Sequence, residues 1–242
     1  MKRTERRHLK QNEFEAVTLQ ALDMLGEKRR EITTVVAVLA VVGLVAAVYW
    51  AWRSHVTDTS HALLAEAMIV QDARVGAPPP GTAPQGGQTF ATEKDRTQAA
   101  IAKFKAAADA YPSTDAGLFA RYQEAALQVS IGNTAEAIKT YQAVIDRAGS
   151  GLYGQMARLG VAEAYAAGGQ FEQAITEFKE LAQRKDTQLP VDGILMQLGR
   201  TYRDAGKVAD AQQTFNRIVQ EFPDSPFNAE AKKELDALKR AA

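Results

Sequence analysis

Alanine recurs at Ala100, Ala137, Ala174 and Ala211, 37 residues apart each time, and other residue types keep step with it. Four positions after each alanine stands an aromatic residue: Phe104, Tyr141, Phe178 and Phe215. Seven positions after stands an apolar one: Ala107, Val144, Leu181 and Ile218. Five positions before the last three alanines lies glycine, at Gly132, Gly169 and Gly206. Each glycine falls between two helical stretches, where a chain reversal needs a backbone free to take positive φ. A fixed period of this length, with a small residue one turn before an aromatic one, predicts stacked helical hairpins in which each hairpin buries its apolar face on the next. The fold class expected is therefore all-α, an α-solenoid with a 37-residue period.

These residues resemble a tetratricopeptide repeat (TPR) array. The fullest copy is Leu198-Gly199, Tyr202, Gly206, Ala211, Phe215, Ile218 and Pro223. The next is Tyr165, Gly169, Phe171, Ala174, Phe178 and Leu181. Another has Ala125, Gly132, Ala137, Tyr141 and Val144, with Gln128 where the inner-helix tyrosine should stand. The alanine lets the second helix approach the first, and the aromatic fills the space between successive hairpins. The period exceeds the usual repeat by three residues, which are assigned to the connections between repeats. A half-repeat precedes these copies, with Ala100, Phe104, Ala107 and Pro112 as its second helix. Its first helix is expected at 53–75, carrying Leu63, Leu64, Ala67, Met68 and Val70, because residues 76–92 are rich in proline and glycine and cannot supply one. That stretch reads as a flexible loop. Repeats then run over 93–224, and a capping helix is expected over 225–242, with Ser225 as cap, Pro226 in its first turn, and Ala229, Leu235 and Leu238 packed inward.

The resemblance also implies where a partner binds. First helices of such repeats line one face, which here takes Phe119, Tyr122, Ala126, Val129 and Ser130, then Met156, Leu159, Glu163, Ala166 and Ala167, then Gly193, Met196, Arg200, Arg203 and Asp204. One end of this face is aromatic and methionine-bearing, which suits adaptable binding of peptides, and the other is charged. The alternative reading is that Phe119, Tyr122, Leu159 and Met196 pack between hairpins.

Ahead of the repeats, residues 32–52 run 21 positions without a charge, enough to cross a bilayer core as a helix. The run ends on Tyr49, Trp50 and Trp52, aromatics that settle at the headgroup level. Its length and its bulky end argue against a cleaved signal peptide, and the lack of a polar face against a core helix. Residues 1–31 hold eight Lys/Arg against six Asp/Glu, and three of the basic residues abut the span. After Arg53 the chain has 20 basic and 23 acidic residues. The positive-inside rule puts the N-terminus in the cytoplasm and everything after the span outside the inner membrane, in the periplasm. The leader carries Phe14, Val17, Leu19, Leu22, Met24 and Leu25 among charges, the pattern of a helix on the membrane surface or against a cytoplasmic partner. Gly43, Ala47 and Ala51 put small residues on one side of the span, a candidate helix–helix interface.

Leader, span and exported TPR domain together resemble the YfgM-type ancillary subunits of the Sec translocon over nearly the full length. The matching stretch is Tyr49-Trp50-Ala51-Trp52-Arg53-Ser54-His55, while the 76–92 insertion departs from that pattern. The phrase Glu221–Ala231 also echoes lipoproteins of the outer-membrane assembly machine, but the cysteine those carry is absent. The resemblance implies partners among Sec translocon subunits, exported polypeptides and periplasmic chaperones; a structural scaffold for an envelope complex, without unfolded clients, is the alternative.

Composition removes other functions. With no cysteine there is no thiol chemistry, disulfide or thiolate metal site. A formal net charge of zero disfavours nucleic acid as a partner. His8 is separated by the span from His55 and His61, and no phosphate-binding glycine loop occurs. No catalytic residue, metal ligand, cofactor or small-molecule substrate is expected.

Overall fold

The computed structural model describes residues 29–76 and 88–241. The expected surface helix of the leader, and most of the Pro/Gly stretch, lie outside the described residues. Those described form nine helices and one two-stranded pairing: α1 Arg29–Gln71, β1 Arg74–Val75, β2 Thr89–Phe90, α2 Glu93–Ala110, α3 Asp115–Ser130, α4 Thr134–Ala148, α5 Leu152–Ala167, α6 Phe171–Gln183, α7 Val191–Asp204, α8 Val208–Glu221 and α9 Asn228–Ala241.

The chain divides into two units, Met1–His55 and Val56–Ala242. The first contains the apolar half of α1. Every large apolar side chain from Val35 to Trp52 is more than half exposed, from 55% at Tyr49 to 72% at Trp50. Thr33 and Thr34 donate their hydroxyls back to the carbonyl of Arg30, at 3.0 and 2.8 Å, which is how polar side chains satisfy themselves on an apolar helix. The expected span 32–52 and the start of the helix expected at 53–75 run as one helix, α1, of 43 residues. No glycine or proline occurs between Leu44 and Val75 to interrupt it.

The second unit is the solenoid. Its first hairpin pairs the later part of α1 with α2. Ala67 and Val70 are buried with Ala100, Phe104, Ala107 and Ala108, and Leu63 and Leu64 pack against them, whereas Met68 is 41% exposed. Thr92 caps α2 by accepting the Asp95 N–H at 3.1 Å. Between the two helices the chain leaves and re-enters through a clip: β1 and β2 are parallel, with Arg74 opposite Thr89 and Val75 opposite Phe90. Arg96 donates to the carbonyl of Ala73 at 3.3 Å, which fastens the clip to α2.

The next three hairpins, α3/α4, α5/α6 and α7/α8, each turn over three residues: 131–133, 168–170 and 205–207. Gly132, Gly169 and Gly206 have φ of +83°, +72° and +73°. In each turn the residue after the glycine donates its N–H into the end of the preceding helix, Asn133 to Gln128, Gln170 to Tyr165 and Lys207 to Tyr202, at 2.8–2.9 Å. A side chain would strain all three, so this C-cap needs glycine. The connections between repeats vary instead, from 149–151 to 184–190. The longest is tied down by Gln155, 2% exposed, which donates to the carbonyls of Ser150 and Asp186 and accepts the N–H of Gln188 at 2.8 Å.

The periodic residues occupy the cores. Ala100, Ala137, Ala174 and Ala211, and one turn further on the same helices Phe104, Tyr141, Phe178 and Phe215, are all at most 2% exposed. Gly199 lets α7 press against its own hairpin partner, since a Cβ there would stand 2.5 Å from the Phe215 ring. Tyr202 is buried, Tyr165 partly buried and Pro223 exposed. Where the tyrosine is missing, a polar chain replaces it. Buried Gln128 accepts the Thr140 hydroxyl at 2.9 Å and donates to Glu124 at 3.4 Å. Glu124 pairs with Arg121 at 2.7 Å, and Arg121 also pairs with Asp109 of α2.

The final helix closes the core of the last two hairpins with Ala231, Leu235 and Leu238. It starts at Asn228, later than expected, and Ala231 rather than Ala229 faces inward. Ser225 belongs to the preceding turn, where its hydroxyl donates to Asp192 at 2.6 Å and accepts the Phe227 N–H at 3.0 Å. That turn delays the helix and sets its phase.

Candidate functional site

The first helices α3, α5 and α7 pack on one another in order, so their outer positions form a continuous face. At the α3/α5 end the face is aromatic. Phe119 and Tyr122 lie one turn apart with rings 6.4 Å between centroids and 19° between planes. Tyr153 of α5 stands 6.4 Å from Phe119, and Tyr141 of α4 stands 5.4 Å from Tyr122. Tyr141 fits there because its neighbour on α5 is Gly160, where a Cβ would come within 2.4 Å of the ring. Phe119 and Tyr122 keep partial exposure, as do Met156, Leu159 and Glu163. Ala126 and Val129 pack on the α3–α5 core, and Leu159 and Ala166 on the next one. Ser130 and Ala167 are exposed at the helix ends.

Electrostatics follow from this packing. Burial raises the Glu163 carboxyl above its usual range. Burial likewise raises the hydroxyls of Tyr122 and Tyr141, with the negative charge of Glu163 adding to both. Tyr153 is raised by burial and by Asp115 at the start of α3.

At the α7 end the outcome differs. Met196 is core, 1% exposed beneath the cap. Gly193 lies beside the ring of Phe227. Arg200 pairs with Glu230 of α9 at 2.5 Å, and Arg203 grips Glu234 through one nitrogen at 2.8 and 2.9 Å while also meeting Asp204. The charged third of the expected site is thus occupied by the chain's own last helix, and the α3/α5 end is what remains accessible. The span residues Gly43, Ala47 and Ala51 are exposed along α1.

Sequence reasoning passed over Tyr153 because a strict 37-residue phase from Phe119 lands on Met156, one turn further on. It also passed over Glu230 and Glu234. Their spacing of four, matched to Arg200 and Arg203 at a spacing of three, was the available signal.

Known proteins agree with this architecture. The nearly identical TPR-like repeats of a Podosopora anserina protein superpose with a TM-score of 0.52 at 16% identity, covering 62% of this chain and 80% of that one. A single-substitution form of the same repeats gives 0.51 at 15% identity over the same shares. No curated protein matches the sequence. The likeness to the solved repeats shows the fold, one that typically serves as a non-catalytic scaffold for protein–protein interaction. The family described as "Tetratricopeptide repeat-like domain" matches residues 28–239, nearly the whole chain, and the protein belongs to it.

Proposed function

We propose that this protein is a single-pass inner-membrane subunit whose TPR-like domain, on the exported side, captures polypeptides or periplasmic chaperones at the Sec translocon. One observation carries the reading: a helix long and apolar enough to cross a membrane, its large side chains more than half exposed from Val35 to Trp52, belongs to the same chain as a protein-interaction solenoid. Water solvates such a surface poorly, whereas a bilayer core accommodates it. Eight basic residues before the span favour a cytoplasmic N-terminus. The proposed organisation is leader 1–31, span 32–52, first half of hairpin 1 at 53–75, loop 76–92, repeats 93–224 and a C-terminal segment 225–242 whose helix starts at Asn228, with Gly43, Ala47 and Ala51 available for a helix of a membrane partner.

The experiment is recovery of the full-length protein in mild detergent, with mass spectrometry of what accompanies it. Channel subunits together with varied exported proteins in small amounts support the reading. One stoichiometric envelope complex without the channel would replace it with the scaffold. Tyr122→Glu and Met156→Glu are expected to reduce capture of an unfolded polypeptide while leaving the helical signal intact. Undiminished capture by both variants would remove polypeptide binding from this face.

A further inference from the structure

The charges on and around the first-helix face are unevenly settled. Arg121 is neutralised by Asp109 and Glu124, Arg200 by Glu230, and Arg203 by Glu234 and Asp204. Asp192 accepts the Ser225 hydroxyl. Two carboxylates are left at the aromatic end, Asp115 and Glu163, and among the described residues neither has an ion pair or hydrogen bond. Arg158 of α5 does not serve them: it acts on Glu177 of α6, and its Nε is itself buried without an acceptor. Arg121, Arg200 and Arg203 thus find carboxylates within the fold, whereas Asp115 and Glu163 find no cation among the described residues.

Glu163 is the sharper case. It is partly buried, one turn along α5 from the Gly160 niche that receives Tyr141, and its charge reaches both Tyr141 and Tyr122. The Tyr122 ring that its charge reaches lies 6.4 Å from that of Phe119 and nearly parallel to it, while Tyr153 stands about 15 Å back along α5. A carboxylate held partly out of water is unfavourable unless a cation meets it. Aromatic faces next to it attract the same kind of group, most strongly a flat guanidinium. The alkyl stem of an arginine would also cover Met156 and Leu159.

We propose that the α3/α5 face is selective for a cationic segment of a polypeptide, with an arginine side chain stacked on Phe119 and Tyr122 and its guanidinium paired with Glu163. This rests on the reading that the face binds polypeptide, and it specifies the partner's chemistry as basic. The complementary acidic partner is excluded by the same charges, because like charges brought together in a partly desolvated cleft repel.

The test uses the full-length chain in detergent micelles and fluorescence anisotropy with two short labelled peptides. They are identical except that one carries arginine where the other carries citrulline, its uncharged isostere. The arginine peptide is expected to bind about tenfold more tightly, the ratio a charge-assisted hydrogen bond supplies, with the preference shrinking as salt is raised. Glu163→Gln is expected to make the two peptides equivalent by weakening the arginine peptide alone. Because this variant removes a charge that burial disfavours, it retains the fold, which its melting curve checks. Equal binding of both peptides to the unmodified protein, still lost in Tyr122→Glu, overturns cation selectivity and leaves polypeptide binding standing. A preference that survives Glu163→Gln also overturns it. Failure of both peptides to bind overturns this inference together with the polypeptide-binding reading of the face.

Discussion

Glu163 separates the demands of folding from those of binding. Its carboxyl is raised above the ordinary 4.5 by burial, so the folded chain holds that proton more tightly than the unfolded chain. The sign follows: stability from this group is complete below the unfolded value and declines as pH rises through the folded one. Glu124 and Glu177 are raised by burial as well and act in the same direction. Glu163→Gln is therefore expected to melt higher than the unmodified protein at neutral pH, and the two curves to converge in acid. A gap independent of pH would show that ionisation of Glu163 is not the cause. Two glycines give a steric counterpart. Gly160→Ala and Gly199→Ala would press a methyl to 2.4 and 2.5 Å from the rings of Tyr141 and Phe215. Such overpacking costs ~1–3 kcal/mol, more than the up to ~1 kcal/mol that alanine returns in helix propensity. Urea denaturation should show both variants destabilised. Gly43→Ala, with nothing near its Cβ, carries no such steric cost and should not destabilise the helix.

Between elements, the polar chain on α2, α3 and α4 is where the second hairpin depends on charge. Arg121→Met leaves Glu124, 3% exposed, without its cation, and the expected loss is on the order of 3 kcal/mol. Arg121→Met combined with Glu124→Gln should recover most of it, and a double-mutant cycle measures the coupling. The same elements show what could be read beforehand. The alanine, aromatic and glycine positions were legible because they repeat in phase and because each type has a single physical role, whether close approach, space filling or reversal. Gln128 was legible as a departure, yet the Glu124–Arg121–Asp109 chain was not, because its members come from two helices and follow no period. The fate of the α7 face was likewise hidden. Only the packing of α9 reveals that Met196 is core and that Arg200 and Arg203 have partners. The unbroken run of α1 followed from the absence of glycine and proline, but the span and the repeat were read as separate segments because their compositions differ.

For the molecule as a whole, the proposed span in the apolar half of α1 is expected to determine where the protein resides. Leu44→Arg together with Val45→Arg places two charges in the middle of the proposed span. Each costs ~2.5–3.5 kcal/mol at a helix centre, enough to oppose insertion. The variant is expected to shift from the carbonate-resistant membrane fraction to the soluble one. Unchanged fractionation would show that this stretch is not what holds the protein at the membrane.

The clip formed by Arg74–Val75 and Thr89–Phe90 has a consequence of its own. The chain departs and returns at one point, so whatever joins the two strands does not set how α1 meets α2. Closing a longer connection there costs only ~0.6 kcal/mol for each doubling of length. The position is thus a natural grafting port, at which an epitope, a fluorophore or an entire small domain could be spliced into the protein without passing any mechanical load to the solenoid.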